Sequence, residues 1–432
     1  MRLVPCVLVV LLLGAWNLQA GMDRSRFNIG TYRFGKQLRD EVHVKELKEA
    51  GIDYVCSMWP GDDAEAFYRT LDLFEKYGIG CITETGVEIG AGVPVGNLHH
   101  GKMSEFNPLS LYEESAKTFR NHKAIWGLDV YDEPTALDMP HLGKVCETVR
   151  RLYPDQFPYV NLYPSYAQYA KTPAEVAKSA LGATSYAEYL ETYCRTLPLD
   201  YISFDFYPFS APEERGLIPL FYENLKLASD ACTRTGRSLW FVGQLNNYTV
   251  HGAPSADNMR FQAYAAMAYG AEAMVWACWT RGWWDFNAYD DQGNRTAQYD
   301  KVREVNQELH ALGRYYMQFR RVNTHRTGFP DAQLPVSTGW YRGVAASDGA
   351  PIILGEMAAR KASCQAHAVF LFAADDPYGR ASRNRSVRFE TSCAKVVAVD
   401  GRGRTELKRA KDGAYSVGIR SNCGVLLVGT ER

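Results

Sequence analysis

Short apolar runs alternate with longer amphipathic stretches eight times between about residues 27 and 320. The apolar runs are nearly continuous, which is typical of strands buried on both faces of a parallel sheet. The predicted strands are Phe27–Tyr32, Ile52–Met58, Gly80–Thr85, Ile125–Tyr131, Pro158–Tyr163, Tyr201–Tyr207, Ser238–Gln244 and Ala273–Trp279. Helical patterns between them include Asp63–Tyr77, Leu111–His122, His141–Leu152, Tyr186–Thr196 and Phe261–Tyr269.

Eight strand–helix units in a stretch of this length predict an α/β fold, a closed (β/α)8 barrel over residues 21–322. A doubly wound open sheet is the alternative. Such a sheet carries a glycine-rich phosphate loop after its first strand when it binds dinucleotides, and this chain has none there. The barrel is therefore the favoured interpretation.

The pattern changes after about residue 325, where short strand-like runs are separated by Gly, Asp and Asn turns. These runs predict a small C-terminal antiparallel β-domain, sandwich-like, over residues 323–432. They are Pro351–Glu356, His367–Phe372, Ser386–Glu390, Lys395–Val399, Ala414–Ile419 and Gly424–Val428.

The first 20 residues have the pattern of an export signal: Arg2, then the apolar run Val7–Leu13, then a region ending at Ala20. That run is shorter than the roughly 20 apolar residues that span a bilayer. We therefore expect a cleaved signal peptide, a secreted or periplasmic protein and no membrane span after cleavage. An uncleaved anchor is the alternative.

The chain has 48 basic and 49 acidic residues and a formal net charge of -1, which argues against a nucleic-acid partner. Its cysteines form no CxxC pair, and no metalloprotease or phosphate-loop motif occurs. We therefore expect neither a metal nor a cofactor.

Catalytic groups of a β/α barrel project from the carboxyl ends of its strands. Those ends, and the loop after the last strand, carry carboxylates, an amide and aromatic rings, which are the groups that cleavage of a glycosidic bond requires. The candidates are Tyr32, Trp59, Glu84, Asp132, Glu133, Tyr163, Asp205, Tyr207, Gln244, Trp279 and Trp283.

The fourth strand gives the most informative segment, Leu128–Pro134, which ends in Asp132-Glu133-Pro134. A carboxylic acid with a raised pKa is needed to protonate the departing sugar oxygen, and Glu133 is placed to supply it. The alternative is that Asp132 and Glu133 only cap the next helix in solvent.

This strand end resembles the Asn-Glu-Pro signature of clan A glycoside hydrolases, with Phe206-Tyr207-Pro208 and Ala277-Cys278-Trp279 at the corresponding later strand ends. The resemblance implies that Glu133 is the acid/base, that Tyr207 orients a neighbouring group and that Trp279 forms the floor of the sugar site. Two positions differ. Asp132 replaces the signature's Asn, and Gln244 stands where the clan carries its nucleophilic Glu. A neutral amide cannot form the glycosyl ester.

Substrate-assisted hydrolysis explains both differences, because the 2-acetamido oxygen of the sugar then replaces the enzyme nucleophile. The Asp132-Glu133 pair is similar to that of family 20 hexosaminidases, and the mechanism to that of endo-acting β-N-acetylglucosaminidases. The resemblance implies that Asp132 orients the acetamido group, with Tyr207 or Tyr163 and Gln244 as hydrogen-bonding groups. The expected partner is an oligosaccharide, a polysaccharide or a glycoprotein glycan.

Two alternatives stay open. Glu84 or Asp205 is a candidate nucleophile or base from another strand, which would give a conventional two-carboxylate β-glycosidase. A non-catalytic carbohydrate-binding barrel is the other alternative, and it predicts ligand binding without turnover. Trp59, Tyr32 and Trp283 are expected to contact the sugar in each case.

Overall fold

The computed structural model describes residues 21–58, 63–84, 101–167, 171–248, 252–332, 336–361 and 365–431. The predicted export signal and Trp59 lie outside the described residues, so both stay predictions. Within the described ranges, no helix is both long enough and apolar enough to cross a membrane.

Eight parallel strands close into a barrel in which each strand pairs with the next and the eighth pairs with the first. This confirms the predicted fold class, and each strand lies within two residues of its predicted ends. The strands are β1 (Asn28–Tyr32), β2 (Tyr54–Met58), β3 (Gly80–Glu84), β4 (Ile125–Asp132), β5 (Phe157–Leu162), β6 (Tyr201–Asp205), β7 (Ser238–Gln244) and β8 (Ala271–Ala277).

Helices surround the barrel, and several of them begin at a side chain that caps the first turn. The Asp63 carboxylate accepts from the Ala66 amide at the start of the second helix, and Gly78 ends that helix with φ 63°, a left-handed conformation that favours glycine. The helices are α1 (Glu41–Glu49), α2 (Ala64–Tyr77), α3 (Met103–Phe106), α4 (Leu109–Thr118), α5 (Met139–Leu152), α6 (Tyr186–Thr196), α7 (Leu217–Thr235), α8 (Ala256–Ala268) and α9 (Ala297–Tyr316).

The C-terminal domain consists of two antiparallel sheets, as predicted. Its strands are β9 (Phe319–Thr327), β10 (Tyr341–Ala346), β11 (Ile352–Ala359), β12 (Ala366–Ala373), β13 (Asn384–Thr391), β14 (Lys395–Asp400), β15 (Gly403–Glu406), β16 (Tyr415–Arg420) and β17 (Gly424–Thr430). The larger sheet has the order β15-β14-β17-β12-β11-β9, and the smaller one has the order β10-β13-β16. Strand β9 crosses the boundary predicted after residue 322.

The central strands of the larger sheet are buried on both faces. Side chains such as Ile353 and Phe370 join the core of the barrel, and their neighbours Ile352 and Val369 pack against the smaller sheet. Because successive side chains of a strand point to opposite faces, this alternation produces near-continuous apolar runs in β11 and β12. The sequence analysis did not predict β9, β10 and β15. Of these, β9 and β15 are rich in polar and charged residues.

Candidate active site

A single asparagine joins the carboxylates at the ends of two barrel strands. The Asn161 side-chain amide of β5 donates to Asp205 Oδ1 of β6 at 2.9 Å and reaches Asp132 Oδ1 of β4 at 3.5 Å. Its own oxygen accepts a hydrogen bond from the Ser203 hydroxyl at 2.9 Å. Asn161 therefore holds Asp132 and Asp205 on the same side of the barrel.

The hydrogen-bonded chain continues across the barrel interior. The Tyr159 hydroxyl lies 3.1 Å from the Ser203 hydroxyl and 3.0 Å from the hydroxyl of Tyr32 on β1. Buried hydroxyl and amide groups in such a chain fix one another's orientation. The acidic ends of β4 and β6 are thus connected to Tyr32 by a continuous polar layer.

A β-bulge in β4 turns two of its acidic residues inward. Asp129 pairs with Tyr159 of β5 and Asp132 pairs with Asn161, so four residues of β4 match three of β5. In a regular strand, the side chains of residues three apart point to opposite faces. The extra residue of the bulge lets the side chains of Asp129 and Asp132 point to the same face. Asp129 consequently accepts from the Ser57 hydroxyl at 3.3 Å, inside the same interior layer.

Glu133 follows the end of β4 in a left-handed conformation with φ 50°, which is uncommon for a residue with a side chain. Its amide still donates to the Asn161 carbonyl at 2.9 Å, and the Tyr189 hydroxyl donates to the next carbonyl, that of Pro134, at 2.7 Å. The turn lets consecutive carboxylates of Asp132 and Glu133 lie near each other. Such strain is typical of functional sites.

Burial raises the pKa of Glu133 well above its ordinary value, and the neighbouring carboxylates of Asp205 and Asp132 raise it further. Burial also raises the pKa of both aspartates, against the opposing effect of the Asn161 hydrogen bond. A protonated carboxyl group at neutral pH is the state that a general acid needs. The electrostatics of the cluster therefore suit Glu133 for proton donation.

Aromatic side chains border this cluster of Asp132, Glu133 and Asp205. Tyr163 and Tyr207 are both buried, and burial raises the pKa of each phenol. The nearby carboxylates raise these pKa values further, with Glu133 having the largest such effect on Tyr163 and Asp205 on Tyr207. Trp283 is half-buried, with its ring centre 6.2 Å from that of Tyr32 and 6.3 Å from that of Tyr207. The loop after β8 thus places an indole ring beside the acidic groups.

Gln244 is fully buried at the end of β7. Its side-chain oxygen accepts from the Phe209 amide at 3.0 Å, and its main chain exchanges hydrogen bonds with the Gln262 side chain. Its side-chain NH2 makes no hydrogen bond within the described residues. Gln244 therefore holds the loop that carries Tyr207, and a direct contact with substrate stays a prediction.

Trp279 is likewise fully buried, with its ring 5.7 Å from that of Tyr289 and 5.8 Å from that of Tyr299. The loop after β8 folds over it, since the Tyr289 amide donates to the Trp279 carbonyl. A ring with no exposed face offers no surface to a sugar in this conformation. The half-buried Trp283 is better placed for the stacking role predicted for Trp279.

The structure brings together most of the predicted residues, namely Tyr32, Asp132, Glu133, Tyr163, Asp205, Tyr207 and Trp283. Glu84 ends β3 and pairs with Asp129 of β4. The Glu84 charge is close enough to raise the pKa of the Asp129 carboxyl group. Sequence reasoning missed Asp129, Asn161 and Ser203. Each is a polar residue inside an apolar strand, and that interruption of the apolar run is the signal that would have found them.

A separate cavity of about 510 Å³ lies beside the loop after β8 and is lined by residues such as Asp285, Phe286 and Lys301. None of the clustered acidic residues lines it, so its size does not define the candidate site. Among the described residues, no group of three or more His, Cys, Asp or Glu side chains is arranged to hold a metal ion.

No protein-family model and no curated protein sequence matches this chain. Solved structures with similarity include the endo-β-1,4-mannanase from Thermotoga petrophila, at 10% identity over 91% of each chain with a TM-score of 0.47. The cold-adapted β-galactosidase from Rahnella sp. R3 is 12% identical over 69% of this chain and 57% of its own, with a TM-score of 0.47. Because the identities and TM-scores are this low, the reaction has to be inferred from this chain's own residues.

Proposed function

We propose that this protein is a glycoside hydrolase that cleaves β-linked 2-acetamido sugars by a retaining, substrate-assisted mechanism. The observation that carries the proposal is Glu133, which directly follows β4 and has a carboxyl group whose pKa is raised by burial and by the nearby carboxylates of Asp205 and Asp132. Gln244, in place of a nucleophilic carboxylate at the end of β7, supports a reaction in which the substrate supplies the nucleophile.

In the first step, the acetamido oxygen of the sugar attacks the anomeric carbon while Glu133 gives its proton to the departing oxygen. Asp132 accepts a hydrogen bond from the acetamido N–H and stabilises the positive charge that develops on the cyclic intermediate. Glu133, now ionised, then removes a proton from the water that opens this intermediate, which restores the acid. Tyr207 or Tyr163 donates a hydrogen bond from its phenol to the acetamido carbonyl.

The second candidate is a conventional two-carboxylate glycosidase that uses Asp205. The observation in its favour is that Asp205 is buried, fixed by Asn161 and electrostatically close to Glu133. A retaining enzyme would need its carboxyl groups about 5–5.5 Å apart and an inverting one about 6.5–9.5 Å apart. In that reaction the substrate would need no acetamido group.

Ligand-induced thermal stabilisation separates the two candidates, because a ligand that binds only the folded state raises the melting temperature. The probes are gluco- and galacto-configured N-acetylhexosamine thiazolines, which mimic the cyclic intermediate, beside iminosugars without an acetamido group. We expect a shift with one thiazoline and a smaller shift with the iminosugars. A shift with the iminosugars alone contradicts substrate assistance and supports the use of Asp205.

A further inference from the structure

Three aromatic side chains form a second, outer group around the acidic cluster, and we call Tyr166, Tyr248 and Trp284 the aromatic rim. Tyr166 is 40% exposed and Tyr248 is 44% exposed, whereas Tyr163 and Tyr207 next to the carboxylates are at most 9% exposed. Large aromatic rings are usually buried, so a group of partly exposed rings is typical of a binding surface. The exposure therefore rises from the inner aromatic residues to the rim.

The rim is continuous with the inner site. The Trp284 ring lies 5.0 Å from that of Tyr207 and 4.9 Å from that of Tyr248. Tyr166 packs its ring 4.9 Å from that of Phe206, the residue before Tyr207. Trp284 and Tyr166 thus contact the segment that follows β6, Tyr248 joins them through Trp284, and a ligand that fills the inner site meets these rings next.

The loop after β8 holds Trp284 in a costly backbone conformation. Its φ is 95°, in the left-handed region that bulky side chains avoid. Two main-chain hydrogen bonds between Asn247 and Asp285, of 3.1 Å and 2.9 Å, fix the loop in this position. The same ladder ties the loop after β7, which carries Tyr248, to the loop that carries Trp284, and so aligns two of the three rings.

We infer that the aromatic rim is the subsite for a sugar residue on the leaving-group side of the bond, so that the natural substrate is an oligosaccharide or polysaccharide rather than a glycoside of a small alcohol. The inference rests on the proposed function. Aromatic faces suit the apolar face of a pyranose ring, and their polar edges remain available to its hydroxyl groups.

The assignment to the leaving-group side follows from the position of the acid. Glu133 delivers its proton to the oxygen that joins the reacting sugar to its leaving group, so the leaving group lies on the Glu133 side of the reacting sugar. The Tyr166 ring packs against Phe206, and its hydroxyl group lies beside the Tyr207 main chain, within electrostatic range of Asp205 and Glu133. The rim thus begins next to the proton donor, where the leaving group has to lie.

The test compares two substrates with the same reacting 2-acetamido sugar, a β-linked disaccharide and the β-glycosyl fluoride, since a fluoride ion cannot occupy the rim. In the full chain, Tyr248→Ala and Tyr166→Ala are each expected to lower the ratio of kcat/KM for the disaccharide to that for the fluoride about tenfold, as for the loss of one stacked ring. Tyr68→Ala on α2 is the matched control, a half-buried tyrosine of the outer helical layer that should leave the ratio unchanged.

An unchanged ratio in both rim variants overturns the inference while leaving the proposed function intact, provided that the unaltered protein cleaves both substrates. A parallel fall on both substrates also overturns it, because the rings would then act on the reacting sugar or on the fold. If the unaltered protein cleaves neither substrate and binds no thiazoline, the proposed function is wrong, and the inference that rests on it is wrong as well.

Discussion

At the scale of single residues, Glu133 combines a left-handed backbone, partial burial and two neighbouring carboxylates. Glu133→Gln keeps the shape of the side chain and removes its proton, so kcat should fall about 10²- to 10⁴-fold on substrates with a poor leaving group. Steady-state kinetics on the disaccharide measure this. Near-normal turnover by the variant contradicts the assignment of Glu133 as the acid.

Asp132→Asn tests the mechanism rather than the acid. The proposed role of Asp132 is to receive the acetamido N–H and to stabilise the charge of the intermediate, which a neutral amide does poorly. We expect kcat/KM for 2-acetamido glycosides to fall about 10²-fold or more, with a smaller effect on glycosides that lack the acetamido group. Equal losses on both substrate classes support the conventional mechanism instead.

At the scale of structural elements, β11 packs directly on the end of α8. A Cβ added at Gly355 of β11 would lie 2.5 Å from the Ala268 carbonyl oxygen, which is main chain and cannot rotate away. Gly355→Ala should therefore lower the free energy of unfolding by about 1–3 kcal/mol, as overpacking does. Urea unfolding measures this. Gly418→Ala in β16 is the control, since nothing lies within 4 Å of its added Cβ, and an equal loss there would contradict the packing argument.

At the scale of the whole molecule, the buried acidic cluster makes stability depend on pH. Burial raises the pKa of Asp132 to about 6 and that of Asp205 to about 8, so the folded state binds more protons than the unfolded chain in this range. The stabilisation is complete below the ordinary carboxyl pKa and is lost as pH rises through the raised values. We expect the free energy of unfolding to fall by about 5 kcal/mol between about pH 5 and about pH 9, since each unit of raised pKa in this range contributes about 1.4 kcal/mol.

Asp205→Asn tests this dependence, because the amide cannot ionise and its oxygen can still accept from Asn161. The variant should lose less stability than the unaltered protein between the same two pH values, as measured by urea unfolding at each. An identical loss in both proteins would show that the acidic cluster is not its source. Carboxyl groups with lowered pKa values, such as that of Asp230, are ionised in both states throughout this range and leave the comparison unaffected.

The sequence by itself determined the barrel and the strand ends at which the clustered carboxylates lie. Strands buried on both faces must be apolar throughout, so β7 was predicted residue for residue and the other barrel strands to within two residues. Because catalytic groups follow the strand ends, Asp132, Glu133, Asp205 and Tyr207 were found from their place in the chain alone. Polar strands such as β9 have no such pattern, and they were missed.

Only the tertiary structure decided which of these side chains meet. The bulge in β4 turns Asp129 inward beside Asp132, and Asn161 from the next strand joins Asp132 to Asp205. The loop after β8 buries Trp279 and leaves Trp283 beside the carboxylates. A one-residue bulge reverses the direction of every following side chain, and the burial of a ring depends on loops that are distant in the chain. The direction of a side chain and its burial therefore cannot be deduced from the local sequence.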